Sequence, residues 1–498
     1  MSEARNTMLS RSGPRFRAMF VAVLMVASIA VLVTVDRRSV ELPASAVGAR
    51  LATPSYRETA QASTWFCPGV PGNDDSIGGA IVVSNPGETP VGGTITRFAV
   101  DGIARRQRFA VPARSSLEID AVADVQSPFV STLIESQGSP VAVEQRTSHR
   151  AGDAVAVCAS SPSGTWYLAD GFTGADSLEQ VVITNPSLDS AILDVSFVTA
   201  AGERSPQSLK GVVIPPESVR VFDMAALDAR NEAVVAVSVA ATVGRVVVGR
   251  SQHYLGRGRL GYTMALAASS TSDRWYFADG EKNQTVSEEF VIFNPLLEDQ
   301  QLTFIVAGDD GVSLDPLVVT APSKRVTKFS PASLPTLAEG RYSTVITATR
   351  ATGVSTAGVV VERVTTRQDG KSTATAALLG TPEPSRAWIA PSGTAVGASD
   401  SLRIFNPGSL ASVFSITYLG PAGDVPVVGL ENVALEPGAS TSVTLPPEAA
   451  ATAVTLSSTE PLVVQRRTSR GAKQPINGAA PLIRLVRDAR ACPTGDEC

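Results

Sequence analysis

The stretch RWYFADG, Arg274 to Gly280, decides how this chain is read. It returns as TWYLADG from Thr165, and more loosely as TWFCPG from Thr64 and AWIAPSG from Ala387. The chain has four tryptophans, and each of these stretches holds one: Trp65, Trp166, Trp275 and Trp388. A scarce residue confined to one motif points to an internal repeat. The tryptophans are 101, 109 and 113 residues apart.

Working outward from each tryptophan, the same features return in order. An Asn-Pro follows at Asn85-Pro86, Asn185-Pro186, Asn294-Pro295 and Asn406-Pro407, closing the apolar runs AIVVSNP, QVVITNP, EFVIFNP and SLRIFNP. Their Val, Ile and Phe content predicts a strand, and proline, which lacks an N–H, marks its end. Alternating segments come next: Leu193, Val195 and Phe197; Leu302, Phe304 and Val306; Phe414, Ile416 and Tyr418. Period two places each set on one face of a half-buried strand. Each copy closes similarly, with PVAVEQRTSH, RVVVGRSQHY, GVVVERVTTR or PLVVQRRTSR.

About 100 residues with seven or eight short strands is the pattern of an antiparallel β-sandwich, and too long for one propeller blade. The expected fold is all-β, four tandem Ig-like sandwiches spanning 64–164, 165–273, 274–386 and 387–491, with a tail at 492–498. Each tryptophan is expected in a core, with the following Asp-Gly or Pro-x-Gly making a turn.

The N-terminus adds an anchor. Residues 1–17 carry Arg5, Arg11, Arg15 and Arg17, and the uncharged run AMFVAVLMVASIAVLVTV fills 18–35. As a helix this run covers about 27 Å, close to the hydrocarbon thickness of a bilayer. Arginines before it keep the N-terminus cytoplasmic and put the body outside. The alternative is secretion after cleavage near Ala46, but the run is long for a signal peptide and Asp36, Arg37 and Arg38 separate it from that site. Residues 36–63 read as a flexible tether. Cysteine usage agrees with an exported chain: an even count suggests disulfides, and of the three pairings that four cysteines permit the expected one joins Cys67 to Cys158 and Cys492 to Cys498, with a zinc site as the runner-up.

The repeats resemble a family of uncharacterised actinobacterial exported proteins with a W-Y-x-A-[ED]-G opening, a central N-P and a closing [VI]-V-x-[EG]-R. The match rests on Trp166 to Gly171, Trp275 to Gly280, the four Asn-Pro pairs, and VVVGR and VVVER. It weakens in the first copy, where Cys67 replaces the third motif residue, and in the last. The resemblance implies a membrane-anchored or secreted envelope protein and brings no activity, cofactor or catalytic residue.

Nothing in the sequence marks an enzyme. Net charge is −5, which argues against a nucleic-acid surface. GRGRLG places Gly256, Gly258 and Gly261 in a G-x-G-x-x-G spacing, but an apolar strand follows where a nucleotide site needs a helix, so this is a hairpin loop. His149 and His253 follow two closing strands and read as solvated or locally bonded rim residues, because a shared metal site would require separate domains to bring them together. Asp74 and Asp75, and Asp309 and Asp310, read as turns in preference to calcium ligands. The expected function is therefore a non-enzymatic, membrane-anchored scaffold or interaction module of the cell envelope, without cofactor or nucleotide. A cell-wall glycan-binding protein is the alternative, and an embedded hydrolase ranks last.

Overall fold

The computed structural model describes residues 55–57, 62–74, 77–149, 153–350, 358–369, 372–391, 398–470, 476–481 and 483–486. The apolar run 18–35, Asp75, Cys492 and Cys498 lie outside them. Among the described residues no helix is long and apolar enough to cross a membrane.

The chain is all-β. Its first strands are β1 (Ser55–Arg57), β2 (Ala62–Pro71), β3 (Ile77–Asn85), β4 (Val91–Ala99), β5 (Gly102–Val111), β6 (Ser115–Asp120), β7 (Phe129–Gln137), β8 (Ala142–His149) and β9 (Ala154–Val157). From β2 onward they form two antiparallel sheets, ordered β2-β7-β4-β5 and β6-β3-β8-β9.

This order returns in each later stretch. In the second, Thr165–Leu168, Val235–Val243 and Ala191–Thr199 form one sheet, and Ser218–Asp223, Leu178–Asn185, Val247–Gly256 and Arg259–Leu266 the other. In the third the sheets are Arg274–Lys282, Gly340–Arg350, Gln300–Gly308 and Leu317–Ala321, then Arg325–Phe329, Val286–Asn294, Val360–Asp369 and Ser372–Leu379. In the fourth, the long strand Val454–Arg470 serves both sheets, pairing Ser385–Ala390 and Ser412–Gly420 early and Ala398–Phe405 late.

Alternation along the third strand of each stretch builds the cores. Leu193, Val195 and Phe197 are fully buried, as are Leu302 and Ile416, while the residues between them are more open. One apolar cluster runs through the first two sandwiches and takes in Ala387 and Ile389 of the fourth.

That continuity closes a circle of contacts within the compact unit Arg50–Cys498. The outermost strand of each second sheet touches its counterpart in the next stretch: β9 with Arg259–Leu266, that strand with Ser372–Leu379, that with Ile476–Pro481, and the last with β9 again. The chain ends add a tie. β1 pairs in parallel with Ile483–Val486, which itself pairs with Ser385–Ala390. Residues expected in the tether at 36–63 thus include a strand of the fourth sandwich's sheet. A tandem array needs no such return of the last member to the first, and the sequence offers no local signal for it.

Candidate functional site

The repeated side chains hold strands together. Each tryptophan is buried and donates its indole Nε1 to a backbone carbonyl, just before the closing strand in three copies, Trp65 to Val141 (2.9 Å), Trp166 to Val246 (2.8 Å) and Trp275 to Val359 (3.0 Å), and within the long strand Val454–Arg470 in the fourth, Trp388 to Leu462 (3.0 Å). A large ring thereby gains burial while its one polar atom is satisfied.

Each asparagine of the Asn-Pro pairs is fully buried. Asn185 Nδ2 donates to the carbonyls of Asp189 (2.8 Å), Ile214 (3.1 Å) and Pro215 (3.0 Å), and its Oδ1 accepts from Ser187 N–H (3.0 Å). Asn85 repeats this with Thr89, Val111, Pro112 and Gly87, Asn294 with Glu298, Ala321 and Leu296, and Asn406 with Leu410, Leu435 and Gly408. The amide folds its own turn and ties it to a distant one. The adjoining Pro86, Pro186, Pro295 and Pro407 end the strand, whereas the cross-link belongs to asparagine.

Cys67 and Cys158 are disulfide-bonded and fully buried, joining β2 to the residue after β9.

The Ala-Asp-Gly that follows the tryptophan departs from the expected turn. In the third stretch Asp279-Gly280 lies inside the strand Arg274–Lys282, at an irregularity between Phe277 and Gly280. Its amides are capped by the next sandwich: Gln465 Oε1 accepts from Ala278 N–H (3.0 Å) and Asp279 N–H (3.1 Å). One step earlier around the circle, Glu362 Oε2 accepts from Ala169 N–H (3.0 Å) and Asp170 N–H (2.5 Å). By register, Glu144, Gly249, Glu362 and Gln465 occupy the same place in the four closing strands, followed by Gln145, Arg250, Arg363 and Arg466. Across the second seam Arg250 grips Glu362 with two hydrogen bonds, 2.9 and 3.1 Å, with both side chains buried. Across the fourth seam, which closes the circle, Arg466 Nη1 lies 3.5 Å from Glu144 Oε1, again with both buried. At the first seam Gly249 stands against Pro68, where an added Cβ would fall 2.4 Å from the proline's.

Electrostatics follow from this burial. Burial pushes the Asp279 carboxyl up, but Arg467, Arg363 and Arg341 outweigh it and hold the group down at about 2. Asp170 is likewise lowered against its burial, chiefly by Arg259 and Arg250. Burial raises Glu362, opposed by Arg250 and the two amides; with its oxygens filled by those donors we assign it ionised. Glu179 differs. It is fully buried, neither carboxylate oxygen has a hydrogen-bond partner, and burial raises its carboxyl well above the ordinary range. It presses on Gly171, where a Cβ would lie 2.0 Å from its Oε1.

Several residues singled out in sequence have other surroundings than expected. His149 and His253 are not separate rim residues: their ring centroids are 4.9 Å apart, and His149 is buried. The expectation failed because it treated the sandwiches as independent, whereas the first and second share a seam. Asp309 accepts from Arg403 (2.6 Å) and Ser440 (3.0 Å), so it belongs to the third seam. Gly256, Gly258 and Gly261 lie in the hairpin joining Val247–Gly256 to Arg259–Leu266. Among the described residues no group of three or more His, Cys, Asp and Glu side chains forms a metal cage.

No curated protein matches the chain. A family model described as "Family of unknown function (DUF5719)" matches residues 122–350 and 336–471, together well over half of the 498 residues. The chain therefore belongs to this family, DUF5719.

Proposed function

We propose that the protein is a non-enzymatic scaffold of the cell envelope: four Ig-like sandwiches closed on themselves, standing outside the cytoplasm on a helix formed by residues 18–35. One observation carries the reading. The side chains that recur from copy to copy are directed at backbone and at neighbouring sandwiches, so the repeated sequence serves construction. The four tryptophans and four asparagines are buried in hydrogen bonds, and the Arg–carboxylate pairs lie inside seams. The disulfide Cys67–Cys158 fits an oxidising compartment.

A sugar-stacking platform needs exposed rings, and every Trp, Tyr and Phe whose side-chain burial is described is buried or partly buried. This weighs for a protein partner over a cell-wall glycan. The experiment is crosslinking in intact cells, with partner identification, alongside a carboxyl-terminal reporter that reads compartment. Recovery of envelope proteins with an extracytoplasmic reporter supports the proposal. A cytosolic reporter, or retention of the protein on peptidoglycan with no protein partner recovered, refutes it.

A further inference from the structure

The first seam lacks the ion pair that joins the second and third sandwiches. Where Arg250 meets Glu362 in that later seam, the first has Gln145 and Gly249, neither of them charged. Gln145 Nε2 donates instead to Met264 Sδ at 3.0 Å, and Thr147 Oγ1 to the same sulfur at 3.3 Å. Beyond them on the same face of β8 comes His149. The chain has two histidines among 498 residues, and the fold brings this one against the other, His253. Their ring planes are 79° apart, and the Tyr262 ring lies 5.5 Å from His149 and 6.1 Å from His253. His149 is buried and His253 partly exposed, so the pair is within reach of solvent from one side.

We propose that His149 and His253 together bind one divalent transition-metal ion, of the zinc type, across the seam between the first and second sandwiches. Imidazole suits zinc, copper and nickel. A zinc–nitrogen bond of about 2.0–2.1 Å puts each ring centroid about 3.2 Å from the metal, and a tetrahedral angle then separates two centroids by about 5.2 Å. The observed centroid separation of 4.9 Å is close to that spacing. In imidazole-bound metal sites one ring nitrogen ligates while the other hydrogen-bonds and fixes the tautomer. The remaining coordination positions fall to water. Tyr262 hydrogen-bonds Ser251 at 3.0 Å. In this role the ion replaces at the first seam the attraction that Arg250 and Glu362 supply at the second.

The test is calorimetric titration of the full detergent-solubilised chain, free of any polyhistidine tag and stripped with chelator, using Zn²⁺ alone. The expected result is one ion per chain, an unfolding midpoint raised by Zn²⁺, and affinity at least about tenfold weaker in His149→Gln and in His253→Gln. Absence of saturable binding overturns the proposal, as does binding that both substitutions leave unchanged. If His149→Gln fails to fold, the partly exposed His253→Gln decides alone.

Discussion

Removing Glu362 should unfasten the second and third sandwiches from each other. Its carboxylate neutralises Arg250 and caps two backbone amides, all in a site closed to water. Breaking a buried ion pair by deleting one partner costs about 3–5 kcal/mol, because the surviving charge stays buried. Each orphaned amide adds about 1–3 kcal/mol where the structure cannot relax, although such losses overlap. Glu362→Ala should therefore destabilise by about 4 kcal/mol or more. Glu362→Gln should cost less than Glu362→Ala, about 3 kcal/mol, because an amide can still cap, as Gln465 does at the third seam, while Arg250 stays buried without its countercharge. The double variant Arg250→Met, Glu362→Gln should return to within about 1 kcal/mol of the parent, since no uncompensated charge remains. Equilibrium urea unfolding followed by tryptophan fluorescence reads all three. A loss below about 1 kcal/mol in Glu362→Ala, or a double variant as unstable as Glu362→Ala, would refute the assignment of this pair to the seam.

Three further expectations follow from the same geometry. Asn294→Ala removes two donated hydrogen bonds and one accepted, and should lower stability by about 2–4 kcal/mol in chemical denaturation; an effect within error would mean the turn holds itself. Replacing both Cys67 and Cys158 with Ala should cost about 2–5 kcal/mol, and reductant should then leave the variant's midpoint unmoved while lowering the parent's. Glu179→Gln gives a pH signature. Because burial raises this carboxyl in the folded state, the unfolded chain releases its proton first, and stability falls as pH rises from the ordinary carboxyl range toward the folded value. The variant lacks that term, so its advantage over the parent should grow from near zero at pH 4 to a clear gain at pH 7, measured by thermal unfolding; a pH-independent difference would contradict the assignment.

The strands were legible in sequence because their signals are local. Alternation at Leu193, Val195 and Phe197 reports a half-buried strand from five consecutive residues, and Pro186 reports its predecessor's end. The cysteine pairing was also within reach, since both residues bracket one copy. The seams were not. Arg250 and Glu362 are 112 residues apart, and Arg466 and Glu144 are 322 apart. Whether such charges face solvent or each other depends on how sandwiches dock, on which strand periodicity is silent. A trace did exist: aligned closing strands read Glu, Gly, Glu, Gln at one position and Gln, Arg, Arg, Arg at the next. Uncharged residues on both sides of the first seam, Gln145 in the first copy and Gly249 against Pro68 in the second, are what a shared interface would leave behind. The histidines were misjudged for the same reason.

Closure of the four sandwiches into a circle is the claim on which the seams, the histidine pair and the proposed scaffold all depend. Small-angle scattering on the compact unit Arg50–Cys498 measures it directly. A closed arrangement of this chain length should give a radius of gyration of about 22–25 Å, near that of a compact single body. Four sandwiches strung end to end would give about 40 Å or more, and that result would contradict the account.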